Sequence, residues 1–129
     1  PAGISEDEQK MLNLVNQERS KNELAPLVWN ENLARVARLK AKDMIDNNYF
    51  AHESPNYGSP FAMMRQFGIT YSYAGENLAG APSVEMAHQA LMNSPGHRAN
   101  ILYANFKQIG IGVLNGSPYG KIFVQMFID

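Results

Sequence analysis

The chain of 129 residues contains no cysteine. A disulfide framework, a thiol nucleophile and a thiolate metal site are therefore excluded. No apolar run approaches the roughly 18 residues that a membrane-spanning helix needs. Eleven Lys and Arg residues stand against twelve Asp and Glu residues, which gives a formal net charge of -1. This balance argues against a nucleic-acid-binding protein, because such proteins carry a basic face or stripe.

The remaining composition is that of an ordinary globular chain, with 45% hydrophobic residues. Its length suits one domain, and we predict a linker or expression scar over residues 1–4 followed by a single domain over 5–129. The first residue is Pro1 rather than methionine. We therefore expect a processed chain, or a part of a longer one, from which a signal peptide has been removed.

Four segments carry helix signals. Ser5 and Glu8 have the spacing of a capping box, and a second segment places apolar residues on one stripe at helical spacing. Proline at the first helical position supports a third helix. The predicted N-cap residues are Ser5, Asn30 or Asn32, Ser59 and Ser83. A further short helix is expected after the Pro95-Gly96 break, ending near Leu102.

Three segments carry strand signals. Residues 69–73 alternate apolar and polar side chains, and the runs 109–114 and 121–128 are joined by a turn-rich stretch. About four helices and about three strands in this order predict an α+β domain with a small antiparallel sheet.

The three histidines differ in their value as candidate site residues. His52 follows the second helix in a loop, and His97 comes directly after a Pro-Gly break. Loops and element ends are where binding residues concentrate, so we select these two. His88 falls on the apolar face of the fourth helix, and we interpret it as a partly buried side chain with one hydrogen bond.

Glu76 lies between a glycine and the apolar residues of Gly75-Glu76-Asn77-Leu78-Ala79. A carboxylate in such surroundings must be hydrogen-bonded, paired or functional, and the local pattern leaves a structural and a functional role equally open. Two imidazoles and one carboxylate are suitable ligands for a divalent cation. Without a metal, the carboxylate orients a histidine that titrates near neutral pH. No His-x-x-x-His spacing occurs in the sequence to support a metal site directly.

Four blocks of the sequence together resemble the CAP superfamily of cysteine-rich secretory, antigen 5 and pathogenesis-related proteins, also called the SCP domain. The blocks are Phe50-Ala51-His52-Glu53-Ser54-Pro55, Gly75-Glu76-Asn77-Leu78-Ala79, Asn93-Ser94-Pro95-Gly96-His97-Arg98-Ala99-Asn100-Ile101-Leu102 and Ile109-Gly110-Ile111-Gly112-Val113. The third block is similar to the cysteine-free branch of secreted Gram-positive bacterial proteins. The resemblance implies an α-β-α sandwich, with helices on both faces of the sheet.

The resemblance also implies a central cleft with two histidines and two glutamates, in which the histidines bind zinc or another divalent cation. Matched block by block, these are His52, His97 and Glu76, which are the expected catalytic or metal-binding residues. The second family glutamate has no counterpart, because residues 90–94 contain no carboxylate and Glu85 lies too early on the helix. The incomplete set lowers the expected affinity for a cation.

Three functions remain open at this point. The first is an extracellular or cell-wall-associated binding module, monomeric, whose cleft takes a small molecule, lipid or peptide. The second is a hydrolase, with Ser54, Ser94 or a metal-bound water as nucleophile and a histidine as base. The third is a structural or interaction module of a larger cell-wall protein.

Overall fold

The computed structural model describes residues 3–129 as five helices and four strands. The helices are α1 (Glu6–Lys21), α2 (Glu31–Asp46), α3 (Pro60–Gln66), α4 (Val84–Met92) and α5 (Pro95–Ile101). The strands are β1 (Val28–Trp29), β2 (Ala74–Ala81), β3 (Gln108–Ser117) and β4 (Gly120–Ile128). The α+β class is confirmed, and the expected short helix is the fifth, which begins at Pro95 rather than after Gly96.

The four strands form one mixed sheet in the order β1-β3-β4-β2. The β3–β4 hairpin is antiparallel, as predicted, and β2 also pairs with β4 in antiparallel fashion. The two-residue strand β1 adds a parallel pairing to β3, which the three-strand prediction did not contain. Strand β2 stands last in this order and so lies at an edge of the sheet.

Helices cover both faces of this sheet. On one face, α2 and α3 pack over a cluster that includes Leu33, Met64 and Leu78. On the other, α1, α4 and α5 pack over a cluster that includes Met11 and Phe123. Because side chains alternate along a strand, β2 sends successive side chains into different helix layers.

Two glycines of β3 explain how closely α2 approaches the sheet. A Cβ atom on Gly110 would lie 2.3 Å from the Ala34 nitrogen, and one on Gly112 would lie 2.5 Å from the Arg38 nitrogen. Because main-chain atoms cannot move aside as a flexible side chain can, any larger residue at these positions would push α2 away from the sheet. The Gly-Ile-Gly stretch lies in β3, as predicted, and its glycines allow the close packing of α2.

The predicted helix starts are confirmed at the level of single hydrogen bonds. Ser5 and Glu8 form the reciprocal capping box of α1, Asn30 caps α2 by accepting from the Leu33 nitrogen, and Ser59 and Ser83 cap α3 and α4 in the same way. These bonds satisfy backbone N–H groups that a helix leaves without partners.

The strand predicted over residues 69–73 is wrong, and the strand begins at Ala74 instead. The nitrogens of Ser72 and Tyr73 donate to the Asp129 carboxylate at 2.8 and 3.0 Å rather than to a neighbouring strand. Consequently Glu76, which we expected in the segment after a strand, is the third residue of β2.

The predicted linker over residues 1–4 is described only in part. Pro1 and Ala2 lie outside the described residues. The Gly3 carbonyl accepts a hydrogen bond from Arg38 at 2.8 Å, and Ile4 packs against the core. No helix within residues 3–129 has the length and apolar character required to cross a membrane.

Candidate functional site

Three separate elements carry the predicted site residues. His52 lies in the loop between α2 and α3, Glu76 lies on edge strand β2, and His97 lies in α5. Side chains two residues apart on a strand point to the same face of the sheet. The Glu76 side chain therefore lies on the α2 side together with Leu78, whereas Asn77 points to the opposite side. Because β2 is an edge strand, a side chain from the opposite layer can approach the same place from the other side of the sheet.

The Glu76 carboxylate is almost completely buried, with 1% of the side chain exposed. Its Oε1 lies 2.8 Å from Nδ1 of His52, whereas the buried Oε2 has no hydrogen-bond partner among the described residues. Burial raises the pKa of this carboxyl, while the His52 hydrogen bond and the Lys40 charge lower it. The effect of burial is the largest, so the pKa of Glu76 is raised, as is typical of a carboxylate removed from water.

The His52 ring connects this buried carboxylate with the solvent, because 56% of its side chain is exposed. The hydrogen bond to Glu76 raises the pKa of His52 above its ordinary value of 6.5. With Nδ1 engaged by the carboxylate, Nε2 is the ring nitrogen left for a ligand. This is the arrangement in which a carboxylate fixes the orientation and basicity of a binding histidine.

His97 lies in α5 and is held by contacts with Ser94 and with Asn77 of β2. Its Nδ1 lies 2.8 Å from the Ser94 hydroxyl, and its carbonyl accepts from Asn77 Nδ2 at 3.0 Å. Burial, together with the nearby His52, lowers the pKa of His97. The structure therefore places the two rings within electrostatic range, but within residues 3–129 no hydrogen bond joins His97 to Glu76.

A buried amide cluster supports the His97 side of the site. Asn77 and Gln125 are both fully buried, and Asn77 Nδ2 donates to the Gln125 side chain at 3.0 Å. Asn100 donates to Asn77 Oδ1 at 2.9 Å and to the Glu76 carbonyl at 3.3 Å. These bonds tie α5 to the main chain of Glu76, a supporting role that we did not assign to them from sequence.

A second polar cluster supports the His52 side. Asp43 on α2 accepts hydrogen bonds from Ser54 Oγ at 2.6 Å, from Asn56 Nδ2 at 2.7 Å and from the Tyr49 hydroxyl. Burial opposes the ionisation of Asp43, but these three donors together lower its pKa. The cluster thus fixes the 49–58 loop that contains His52.

The two serines considered as nucleophiles have different surroundings. Ser54 is buried, donates to Asp43 and accepts from the nitrogens of Asn56 and Tyr57, so its hydroxyl organises the loop and does not contact His52. Ser94 occupies the N-cap of α5 without a capping side-chain bond, and its hydroxyl contacts His97.

His88 has the environment expected from its position on the apolar helix face. It is 7% exposed, its Nε2 lies 3.3 Å from Glu18, and burial lowers its pKa.

His88 lines a cavity of about 380 Å³ between α1, α4 and α5. A second cavity of about 180 Å³ lies between the end of α2 and the β3–β4 turn. Neither of these two cavities is lined by His52, Glu76 or His97.

The residues fit a cation only in a limited way. Across residues 3–129, no group of three or more His, Cys, Asp or Glu side chains is arranged to hold a metal ion. His52 and His97 can offer two imidazole nitrogens, whereas Glu76 is already engaged with His52 and stands behind it. Structural zinc sites use four protein ligands, and these two imidazoles fall short of that number.

Two supporting residues escaped the sequence prediction although their spacing indicates them. Lys40 is fully buried and Asp43 is 7% exposed. Lys40 lies four residues after Val36 and four before Met44, within the apolar stripe of α2. A charged residue in such a stripe signals a buried ion with a partner.

Comparison with known proteins defines the class to which this fold and site belong. The sequence model of the cysteine-rich secretory protein family, CAP, matches residues 12–127. The chain therefore belongs to the CAP family.

Individual relatives agree with this assignment. YkwD of Bacillus subtilis is 50% identical over 129 residues, which are 99% of this chain and 49% of that protein. An extracellular SCP-domain protein of Bacillus anthracis has the same fold with a TM-score of 0.87 and 33% identity, over 99% of this chain and 45% of that one. An outer surface protein of Borrelia burgdorferi, at 22% identity, superposes with a TM-score of 0.89 over 97% of this chain and 93% of its own. The chain thus spans about half the length of the two Bacillus proteins.

Proposed function

We propose that this chain is an extracellular or cell-wall-associated binding module. In this proposal, His52 and His97 supply the protein ligands of a divalent cation such as zinc, Glu76 orients the His52 ring, and the cleft also takes a small molecule, lipid or peptide. The observation that carries the proposal is the buried Glu76 carboxylate on His52 Nδ1 at 2.8 Å, with a half-exposed ring. A buried ionisable pair that opens to solvent through one histidine is typical of a binding or catalytic site.

The donor set favours binding over metal catalysis. Two imidazoles leave most of a cation's coordination to water or to a ligand, so the expected affinity is well below that of a four-ligand zinc site. Residues 90–94 supply no carboxylate in place of the missing second glutamate. The extracellular location is supported by the Bacillus anthracis relative, which is an extracellular protein.

Titration calorimetry with Zn²⁺ tests the cation part of the proposal. We expect weak 1:1 binding at pH 7.5 that His52→Ala and His97→Ala each reduce at least about 10-fold, because each removes one of two ligands. His88→Gln is the matched control and should bind as the unmodified chain does. Zn²⁺ binding that survives both alanine variants would reject this site.

A second function is favoured by one observation, the 2.8 Å contact between the Ser94 hydroxyl and His97 Nδ1. This distance is within the range over which a histidine takes a proton from a nucleophile. The lowered pKa of His97 keeps the ring neutral and able to act as a base. Hydrolysis of casein or peptidoglycan that Ser94→Ala abolishes would establish the hydrolase, and activity unchanged in that variant would exclude Ser94.

A further inference from the structure

Lys40 combines complete burial with a direct contact to the site. It is 0% exposed on the inner face of α2, and its Nζ donates to the His52 carbonyl at 2.7 Å. The ammonium also lies 5.1 Å from the centre of the Tyr49 ring. A buried ammonium is costly unless hydrogen bonds and opposite charge compensate it, so the charges around Lys40 decide its role.

Three carboxylates act electrostatically on the Lys40 ammonium, although none of them forms an ion pair with it within residues 3–129: Glu76 on β2, Asp43 on α2 and Glu53 in the loop. Asp43 already accepts from Ser54, Tyr49, Asn56 and Asn47, and Glu53 is exposed to solvent. Glu76 differs from both, because it is buried and its Oε2 has no hydrogen-bond partner among the described residues. The carboxylate that most needs a cation is therefore that of Glu76.

Lys40 acts on both members of the His52–Glu76 pair. Its hydrogen bond holds the main chain of His52, and its charge stabilises the carboxylate that binds the His52 ring. We propose that Lys40 is a positioning residue of the His52–Glu76 site, which fixes the His52 main chain and balances the buried charge of Glu76. This inference deepens the proposed function and rests on His52 and Glu76 forming the site.

A double-mutant cycle separates charge balance from simple packing. The variants are Lys40→Met, Glu76→Gln and the double variant, with unfolding measured in urea at pH 7.5 without added metal. Loss of one partner of a buried charge pair is strongly destabilising, because it leaves the other charge uncompensated. We expect Lys40→Met alone to lower the folding equilibrium constant by about 100-fold or more, and by about 10-fold or less in the Glu76→Gln background.

Equal effects of Lys40→Met in both backgrounds would overturn the proposal, since a packing role does not depend on the charge of Glu76. If Lys40→Met does not fold, the proposal requires the double variant to fold, and failure of both would also overturn it. The matched control is Lys42→Met, because Lys42 is on the same helix but exposed and paired with Asp46. This control should change the equilibrium constant less than about 3-fold.

A spectroscopic measurement tests the positioning of the ring itself. At fixed pH, the ¹⁵N resonance of His52 Nδ1 reports its hydrogen bond to Glu76. We expect this resonance to shift in Lys40→Met, or in the double variant relative to Glu76→Gln if the single variant is unfolded, and to stay in place in Lys42→Met. An unchanged resonance would contradict a positioning role. Neither experiment uses a ligand, so failure of Zn²⁺ binding would reject the proposed function without affecting these results.

Discussion

Replacing Asp43 with asparagine should destabilise the 49–58 loop while preserving its shape. Three donors of this loop, Ser54, Tyr49 and Asn56, bond to the Asp43 carboxylate, in addition to Asn47 at the end of α2. A hydrogen bond to a charged acceptor contributes about 1 kcal/mol more than one to a neutral acceptor. The asparagine side chain also replaces one acceptor oxygen by an NH₂ group that faces donors. We therefore expect a loss of about 3 kcal/mol, or about 11 °C in Tm for a chain of this length.

Urea unfolding at pH 7 measures this loss, and Asp46→Asn provides the comparison. Asp46 lies on the same helix but is half-exposed and paired with Lys42, so its replacement should cost less than about 0.5 kcal/mol. An Asp43→Asn effect no larger than that of Asp46→Asn would refute the reasoning that this carboxylate holds the loop.

The pH dependence of the same difference follows from the lowered pKa of Asp43. A carboxyl whose pKa is lower in the folded state contributes stability that is present above its unfolded value, near 3.8, and is lost as the pH falls through the folded value. The difference between the unmodified chain and Asp43→Asn should thus stay constant from pH 8 to about pH 5 and decrease only in stronger acid. A decrease between pH 7 and 5 would contradict this assignment.

Three further predictions concern the core and the histidines. The Arg19 guanidinium is buried and donates to four main-chain carbonyls at 2.8–3.3 Å. Arg19→Met should therefore lower the free energy of unfolding in urea by about 3–5 kcal/mol. A loss under about 1 kcal/mol would refute this. Gly110→Ala places a methyl group against the α2 main chain and should lower the free energy of unfolding by about 3 kcal/mol or prevent folding. Gly96 has open space around it, so the control Gly96→Ala should change that free energy by less than about 0.5 kcal/mol. In an NMR titration, His52 should titrate above 6.5 and His97 below it; the reverse order would contradict the environments described for the two rings.

Much of the local structure follows from signals only a few residues apart. Ser5 and Glu8 define the start of α1 because a hydroxyl and a carboxylate at this spacing satisfy free N–H groups of the same turn. The strand over 69–73 was mispredicted for the opposite reason. Its alternating pattern is real, but the Asp129 side chain, distant in sequence, takes the N–H groups that a strand partner would use.

The helix caps, the β3–β4 hairpin and the α+β class follow from signals in the sequence, since caps and turns are properties of neighbouring residues. The choice of His52, Glu76 and His97 as site residues was made from the sequence as well and stays a prediction. That Glu76 contacts His52 rather than His97 emerges only in three dimensions, because this depends on which face of an edge strand meets which helix layer. The same holds for the hydrogen bonds of Lys40 and Asp43 to the 49–58 loop. The spacing of apolar residues along α2 indicates that Lys40 is buried, but spacing along one helix does not specify which loop or strand supplies its partners.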